Sequence, residues 1–335
     1  MVKPIIKVLV LRFSSIGDIV LTSPVPRLIK QQLPGAEVHY ATKKSFYVLL
    51  QHNPYIDRFH LLGDSFEDLV KELKKERFDY IIDLHDNVRS TLIKLKLGVP
   101  SFTYDKQRWK RWLLVHCKIN KMGRHIVDRY VDTLSGLGIK NDGAGVNYFI
   151  VPADEVSLIN LPESFRSGFI VLVVGTAQFT KQLPLEKQIE ICRGLHFPIL
   201  LLGGTKEIEL GQKIAGAGPH VLNACGQYSL NQCASLIRQS ELVISNDTGL
   251  MHIAAAFGKP ILATYGNSVS AFGFDPYLPH PETCIFEVPL SCRPCTKFGG
   301  DRCPKGHFHC MQKINSADII GAAKRILKMK EKSLA

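Results

Sequence analysis

Short apolar runs alternate along the chain with longer stretches in which apolar residues recur every third or fourth position, the signature of strands and helices taking turns. The first run, 5–10, is rich in β-branched residues and gives way to Ser14-Ser15-Ile16-Gly17-Asp18, then to a helical pattern that closes near Pro34-Gly35. Further strands are expected at 37–41, 58–62 and 80–84, with an amphipathic helix over 66–76 before the last of them. Between 140 and 162 the pattern breaks at Asn141, Asp142, Gly143, Gly145 and the stretch from Pro152 to Pro162. It then restarts, with strands expected at 169–174, 199–202, 242–245 and 260–265 and helices at 185–195, 207–215, 230–239 and 249–257. Residues 274–311, rich in proline and cysteine, read as a loop, and 316–328 as a final helix.

Such alternation predicts an α/β protein with two Rossmann-like, doubly wound parallel-sheet domains. The N-terminal domain is expected over 1–160 and the C-terminal one, with the Cys-rich loop and terminal helix, over 161–335. A chain of 335 residues suits two such cores better than one.

Composition narrows the class. With 45% hydrophobic and 21% charged residues the chain is that of a globular protein. No apolar run approaches the roughly 20 residues of a membrane span, and no signal-peptide cleavage pattern follows 5–12, so a cytoplasmic protein is expected. The nine cysteines, an odd number with Cys192 and Cys233 inside apolar helical stretches, fit a reducing compartment. A net charge of +12 draws anions, whether nucleic acid, acidic lipid headgroups or phosphorylated small molecules. Much of the excess lies in 106–129, where Lys106, Arg108, Lys110, Arg111, Lys118, Lys121, Arg124 and Arg129 surround Trp109 and Trp112. That segment reads equally as a solvated basic helix face or as an anion-binding surface.

Open α/β sheets bind ligands beyond the carboxyl ends of their strands, so the loops after the strands carry the candidate chemistry. Ser245-Asn246-Asp247-Thr248-Gly249-Leu250-Met251-His252 follows an apolar strand and opens a helix. Asp247 or Thr248 can cap that helix, and the backbone N–H groups of Thr248, Gly249 and Leu250 would then face an anion such as a phosphate. His252, one turn along, is either a diphosphate contact or a packed core residue. The loop 175–184 offers Thr176, Gln178, Thr180 and Lys181, the lysine as a point charge for a phosphate leaving group. In Gly203-Gly204-Thr205-Lys206-Glu207 the carboxylate of Glu207 could accept from a ribose or simply answer the helix dipole. The first-domain loop 14–18 lacks GxGxxG, which speaks against a nicotinamide or flavin site. Asp18 there is either a helix cap or a base acting on an acceptor, and His85, Asp86 and Arg89 follow the fourth strand.

Arg12-Phe13-Ser14-Ser15-Ile16-Gly17-Asp18, Asp83-Leu84-His85-Asp86-Asn87-Val88-Arg89-Ser90, Thr180-Lys181-Gln182-Leu183-Pro184, the stretch from Asn246 to His252 and the stretch from Cys292 to Met311 together resemble the ADP-heptose:lipopolysaccharide heptosyltransferase family, glycosyltransferase family 9. The resemblance implies a GT-B fold, two Rossmann-like domains facing across a cleft, with the acceptor on the first domain and the nucleotide sugar on the second. It also implies an inverting, metal-independent glycosyltransferase in which Asp18 is the general base, while Lys181 and the Thr248-Gly249 backbone stabilise the departing diphosphate. Two positions depart from the family pattern: Leu183 stands where an aromatic residue is usual, and His85 where a glutamine is.

The expected catalytic residues are therefore Asp18 and Lys181. Thr176, Thr180, Lys181, Gly204, Glu207, Asp247, Thr248, Gly249, Leu250 and His252 are expected to hold the nucleotide sugar. Ser15, Gly17, His85, Arg89, Arg108 and Arg111 are expected to hold the acceptor. ADP-heptose is the expected donor, an anionic lipopolysaccharide core (lipid A-Kdo or heptosyl) the expected acceptor, and no cofactor is required. A monomer that touches the inner face of the inner membrane peripherally, and no nucleic acid, is expected. Another nucleotide sugar, or a nucleotide-sugar epimerase, is the alternative reading. Cys292-x-x-Cys295 with Cys303 and Cys310 has part of the spacing of a tetrahedral zinc site, but the less regular second pair favours a structural loop without metal.

Overall fold

The computed structural model describes residues 5–334 of the chain. These fall into two compact units, the first running to Gln107 and including Arg124–Phe149, the second made of Arg108–Gly123 and everything from Ile150 onward. The junction at 149–150 lies inside the break expected from sequence. The segment Arg108–Gly123, expected within the first domain, belongs instead to the second unit. Its Arg111 is buried with the guanidinium over the Phe274 ring, and Lys118 donates to the carbonyls of Cys292 and Pro294.

The first unit contains one parallel sheet. Its strands are β1 (Ile6–Leu11), β2 (Ala36–Lys43), β3 (Arg58–Leu62), β4 (Tyr80–Asp83) and β5 (Ser101–Thr103), in the order β3-β2-β1-β4-β5. A central parallel strand is covered on both faces and must be apolar on both, and Val8 to Leu11 of β1 are all fully buried. Helices Phe66–Glu76 and Val88–Leu97 begin at the side-chain caps Ser65 and Asn87, whose oxygens accept from Asp68 N and Ser90 N. Arg27, buried on helix Pro24–Gln32, grips Asp142 with two hydrogen bonds of 2.9 and 2.8 Å and so ties down the tail of the unit.

The second unit holds β6 (Ile170–Val173), β7 (Ile199–Leu202), β8 (Val221–Asn223), β9 (Leu242–Asn246), β10 (Ile261–Tyr265) and β11 (Cys284–Glu287). Their order is β11-β10-β9-β6-β7-β8, again all parallel. Side chains along β6 alternate between two cores: Ile170 and Leu172 join one with the helix Leu185–Gly194 and the terminal helix Ser316–Leu334, and Val171 and Val173 join the other with the helix Leu230–Gln239. Residues 274–311, expected to be a loop, contain β11 and the short helix His309–Gln312. Among the described residues no helix is long and apolar enough to cross a membrane.

Candidate functional site

Each strand order reverses once, between β1 and β4 in the first unit and between β6 and β9 in the second. At such a point adjacent loops diverge to opposite faces and open a crevice beyond the strand ends, where ligands of open α/β sheets bind. Four of the loops picked out from sequence leave these four strands, and the fifth, Gly203–Glu207, leaves β7.

In the first unit, β1 is followed by Arg12, whose buried guanidinium makes four hydrogen bonds. It donates to the carbonyls of Ser14 (2.6 Å) and Leu84, to Tyr130 Oη (2.9 Å) and to Asp18 Oδ1 (2.7 Å). Burial opposes the guanidinium charge, yet Asp18 and the tyrosines around it carry the Arg12 pKa above its ordinary value. Asp18 sits in the first turn of helix Ile16–Leu21, and its other oxygen accepts from Ser15 N (3.2 Å) and Ser15 Oγ (2.7 Å) in a capping box. About a fifth of the Asp18 side chain is exposed. The carboxylate is thus held in one orientation, by Arg12 on one oxygen and Ser15 on the other.

The loop after β4 is fixed from below by Asp83, fully buried, which accepts from the backbone of His85 and Asp86 and pairs with Lys94 at 2.8 Å. Lys106 closes it from above by donating to the carbonyls of His85 and Asp86. Burial, then the charges of Arg12 and Lys106, push His85 down to about 4, so its imidazole is neutral near pH 7. Its Nδ1 accepts from Phe13 N (3.3 Å), which leaves the proton on Nε2 as a donor. Arg89 lies over the Phe13 ring at 5.6 Å and among the described residues has no carboxylate partner.

In the second unit the loops after β6 and β9 meet in an ion pair, Lys181 Nζ to Asp247 Oδ2 at 2.6 Å, and Ser268 Oγ donates to the same oxygen at 2.7 Å. With Asp247 committed sideways, helix Gly249–Ala256 starts without a side-chain cap: Thr248 occupies the cap position, but its hydroxyl lies 3.3 Å from Ser245 Oγ. The first N–H groups of this helix are therefore available to an anion, with Lys181 beside them. At the end of β7, Glu207 accepts from Gly204 N at 2.8 Å, and its side chain fills the place a Cβ on Gly175 would need, 2.3 Å from Glu207 Cγ. The turns after β6 and β7 thereby fix the position of this carboxylate.

Three buried residues absent from the expected set hold these loops in place. Asn246 Oδ1 accepts from Leu183 N (2.9 Å) and Thr264 Oγ1 (3.0 Å), and its Nδ2 reaches Val173 O, joining β6, β9, β10 and the Lys181 loop. Arg293 donates to the carbonyls of Tyr265, Gly266, Ser268 and Val288 and to Glu287, fixing the loop after β10. Gly266 runs so close to the Lys181 loop that an added Cβ would sit 2.6 Å from Thr180 O. The sequence signal for Asn246 and for Arg12 is similar, a polar residue at or just after the end of an apolar strand.

Ser15, Gly17, Asp18, His85 and Arg89 thus gather at the β1–β4 end of the first unit, and Lys181, Asp247, Thr248, Gly249 and Leu250 at the β6–β9 end of the second, with Gly204 and Glu207 at the end of β7. Several expectations change. Arg108 and Arg111 belong to the second unit rather than the first, and Arg111 is buried. Thr180 is buried, and its hydroxyl accepts from Gly300 N at 2.8 Å, so it holds the loop rather than facing outward. Thr176 folds its hydroxyl back into its own turn, onto Gln178. His252 is packed inside, because it faces the core side of its helix. Neither Asp247 nor Thr248 caps the helix.

Residues 66–300 match the profile of glycosyltransferase family 9 (heptosyltransferase). Lipopolysaccharide heptosyltransferase 1 of Campylobacter coli is 22% identical over 298 residues, covering 79% of this chain and 85% of that protein. The crystal structure of a glycosyl transferase family 9 protein from Veillonella parvula superposes with a TM-score of 0.76 at 21% identity, over 96% of this chain and 97% of that one. E. coli heptosyltransferase WaaC, solved with ADP, gives a TM-score of 0.69 at 19% identity, over 96% and 100%. These likenesses show the GT-B fold. With the profile spanning well over half its length, the chain belongs to glycosyltransferase family 9, the heptosyltransferase family, and is a glycosyltransferase.

Proposed function

We propose that the protein transfers a heptose from ADP-heptose to an anionic lipopolysaccharide core acceptor, with inversion at the anomeric carbon. The observation that carries this reading is the uncapped start of helix Gly249–Ala256 beside Lys181, a site for a diphosphate, in a protein whose other unit holds an oriented carboxylate, Asp18, at the matching switch point. In the proposed reaction Asp18 takes the proton of the acceptor hydroxyl. The oxygen attacks the anomeric carbon, the bond to the diphosphate breaks, and its electron pair leaves on the diphosphate oxygen. Lys181 and the backbone N–H groups of Gly249 and Leu250 face the charge that develops there. Glu207 is placed to accept from the ribose hydroxyls, and His85 and Arg89 to donate to the acceptor. The E. coli relative solved with ADP supports the choice of nucleotide, and the Campylobacter coli relative's name supports the acceptor class.

Incubation with ADP-heptose and a lipid A-Kdo acceptor is expected to release ADP only when both are present. Turnover of the nucleotide sugar without an acceptor would mark an epimerase and overturn the reading. A screen of ADP, UDP and GDP by thermal shift is expected to single out ADP, since a ligand of the native state raises stability with its affinity.

A further inference from the structure

Helices Phe66–Glu76 and Val88–Leu97 pack on the same core of the first unit, the first through Leu69, Val70 and Leu73 and the second through Ile93 and Leu97. They meet solvent in different ways. Every exposed residue of Phe66–Glu76 is charged: Glu67, Asp68, Lys71, Glu72, Lys74 and Lys75. On Val88–Leu97 the exposed side chains include Val88 (78% exposed), Leu92 (40%) and Leu95 (74%). At about 3.6 residues per turn, 88, 92 and 95 fall on one stripe, and Ile93 and Leu97 fall on the opposite side. The helix is therefore apolar on two faces, and the core covers only one of them. Single exposed apolar residues are ordinary on a protein surface, but a stripe of three along one helix marks an interaction surface.

The charges beside the stripe identify the partner. Residues 88–97 carry Arg89, Lys94 and Lys96 and no carboxylate. Lys94 turns inward, to Asp83 at 2.8 Å and to Thr103 Oγ1 at 2.8 Å. Arg89 and Lys96, two turns apart, lie along one flank of the stripe, and Lys96 is exposed. Apolar side chains beside cations, with no anion among them, complement a surface that is apolar below and negative above, the interface of a bilayer containing acidic lipids. A second copy of the chain docked on the same stripe about a two-fold axis would bring these cations together with no carboxylate on either helix to answer them.

We propose that Val88, Leu92 and Leu95, flanked by Arg89 and Lys96, seat the first unit on the headgroup region of an anionic bilayer. The stripe begins at Val88, beside Arg89 and three residues from His85, so the loop proposed to hold the acceptor stands at its amino end. An acceptor anchored in the same bilayer reaches that loop without leaving the membrane. This last point rests on the acceptor proposed above; the docking itself rests on the helix.

The test sediments the full chain with vesicles of phosphatidylcholine alone and of phosphatidylcholine mixed with phosphatidylglycerol. Binding is expected to the mixed vesicles, to be weaker with the neutral ones, and to fall as salt screens the cations. Replacing both leucines, Leu92→Gln with Leu95→Gln, should lower the partition coefficient about tenfold. Tm should stay nearly unchanged, because both side chains are already exposed and glutamine suits a helix about as well as leucine. Lys96→Glu should weaken binding to the mixed vesicles alone, and Ile159→Ser, at an exposed isoleucine of the second unit, should alter neither. A wild-type chain that stays in the supernatant with both vesicles overturns the inference, as does a double variant that binds as well as the wild type. A dimer that the double variant converts to a monomer overturns it too, since a second copy then covers the stripe. Sedimentation needs neither donor nor acceptor, so a failed transfer assay leaves this inference standing, and failed sedimentation leaves the transfer reading standing.

Discussion

The turn after β1 and the turn after β9 are built alike, from an apolar strand, a polar bend and a helix, but they treat the helix start in opposite ways. After β1, the Asp18 carboxylate reaches back to accept from Ser15 N and Ser15 Oγ and is also gripped by Arg12. After β9, Asp247 is drawn aside by Lys181 and Ser268, and the helix begins uncapped. A cap contributes about 1 kcal/mol, so leaving one out is a local cost that a bound anion offsets. One turn therefore presents a fixed negative group and the other presents N–H donors at an uncapped helix start.

The largest effect should come from removing the negative group while keeping the cap. Asp18→Asn preserves hydrogen bonding to Ser15, and ADP release is expected to fall about 10²- to 10⁴-fold with little change in circular dichroism. Retention of full activity would leave Asp18 as a cap alone and erase the contrast. On the other side, Lys181→Ala should lower the transfer rate about 10²- to 10³-fold, measured as kcat at saturating acceptor. It also strands the mostly buried Asp247, so adding Asp247→Asn to Lys181→Ala should recover stability without recovering rate.

The support behind the second turn comes next in size. Gly266→Ala pushes a methyl group against Thr180 O and Met311, and chemical denaturation should show a loss of about 1–3 kcal/mol together with a higher donor KM. The first turn has its own pH signature. His85 titrates near 4 in the folded chain against 6.5 unfolded, so the unfolded chain binds more protons between these values and stability rises with pH across that window. The contribution is complete above about pH 6.5 and lost as pH falls toward 4. Because the ring is partly exposed, the change should be on the order of 1 kcal/mol, and His85→Gln should flatten it in a series of pH-dependent melts. Smallest is Arg89→Ala, which gives up a cation–π contact worth about 0.5–1 kcal/mol and should raise acceptor KM more than donor KM.

How far these features were legible in the sequence follows from burial. The central strands β1, β6, β7, β9 and β10 are covered on both faces, so they read as unbroken apolar runs. The strands β5, β8 and β11 left no such run. Each is three or four residues long at a sheet edge, with partly exposed side chains, and hydrogen-bonding to a neighbour rather than hydrophobicity makes it a strand. Helix Val88–Leu97 was hidden for a related reason: Val88, Leu92 and Leu95 are exposed, so its apolar positions do not mark one buried face.

The sequence by itself determined that the protein is two parallel α/β sheets and which loops carry its polar chemistry, because strand periodicity and the residues at strand ends are local properties. Only the tertiary structure decided what each of those residues faces. Asp247 pairs with Lys181, 66 positions away, instead of capping its own helix. Arg111 packs against the Phe274 ring of the second unit, and Gly300, 120 positions from Thr180, donates to its hydroxyl and so braces the Lys181 loop. Contacts of that range are set by the order of strands in the sheet, which brings distant loops to one switch point and leaves no trace in the spacing of residues along the chain.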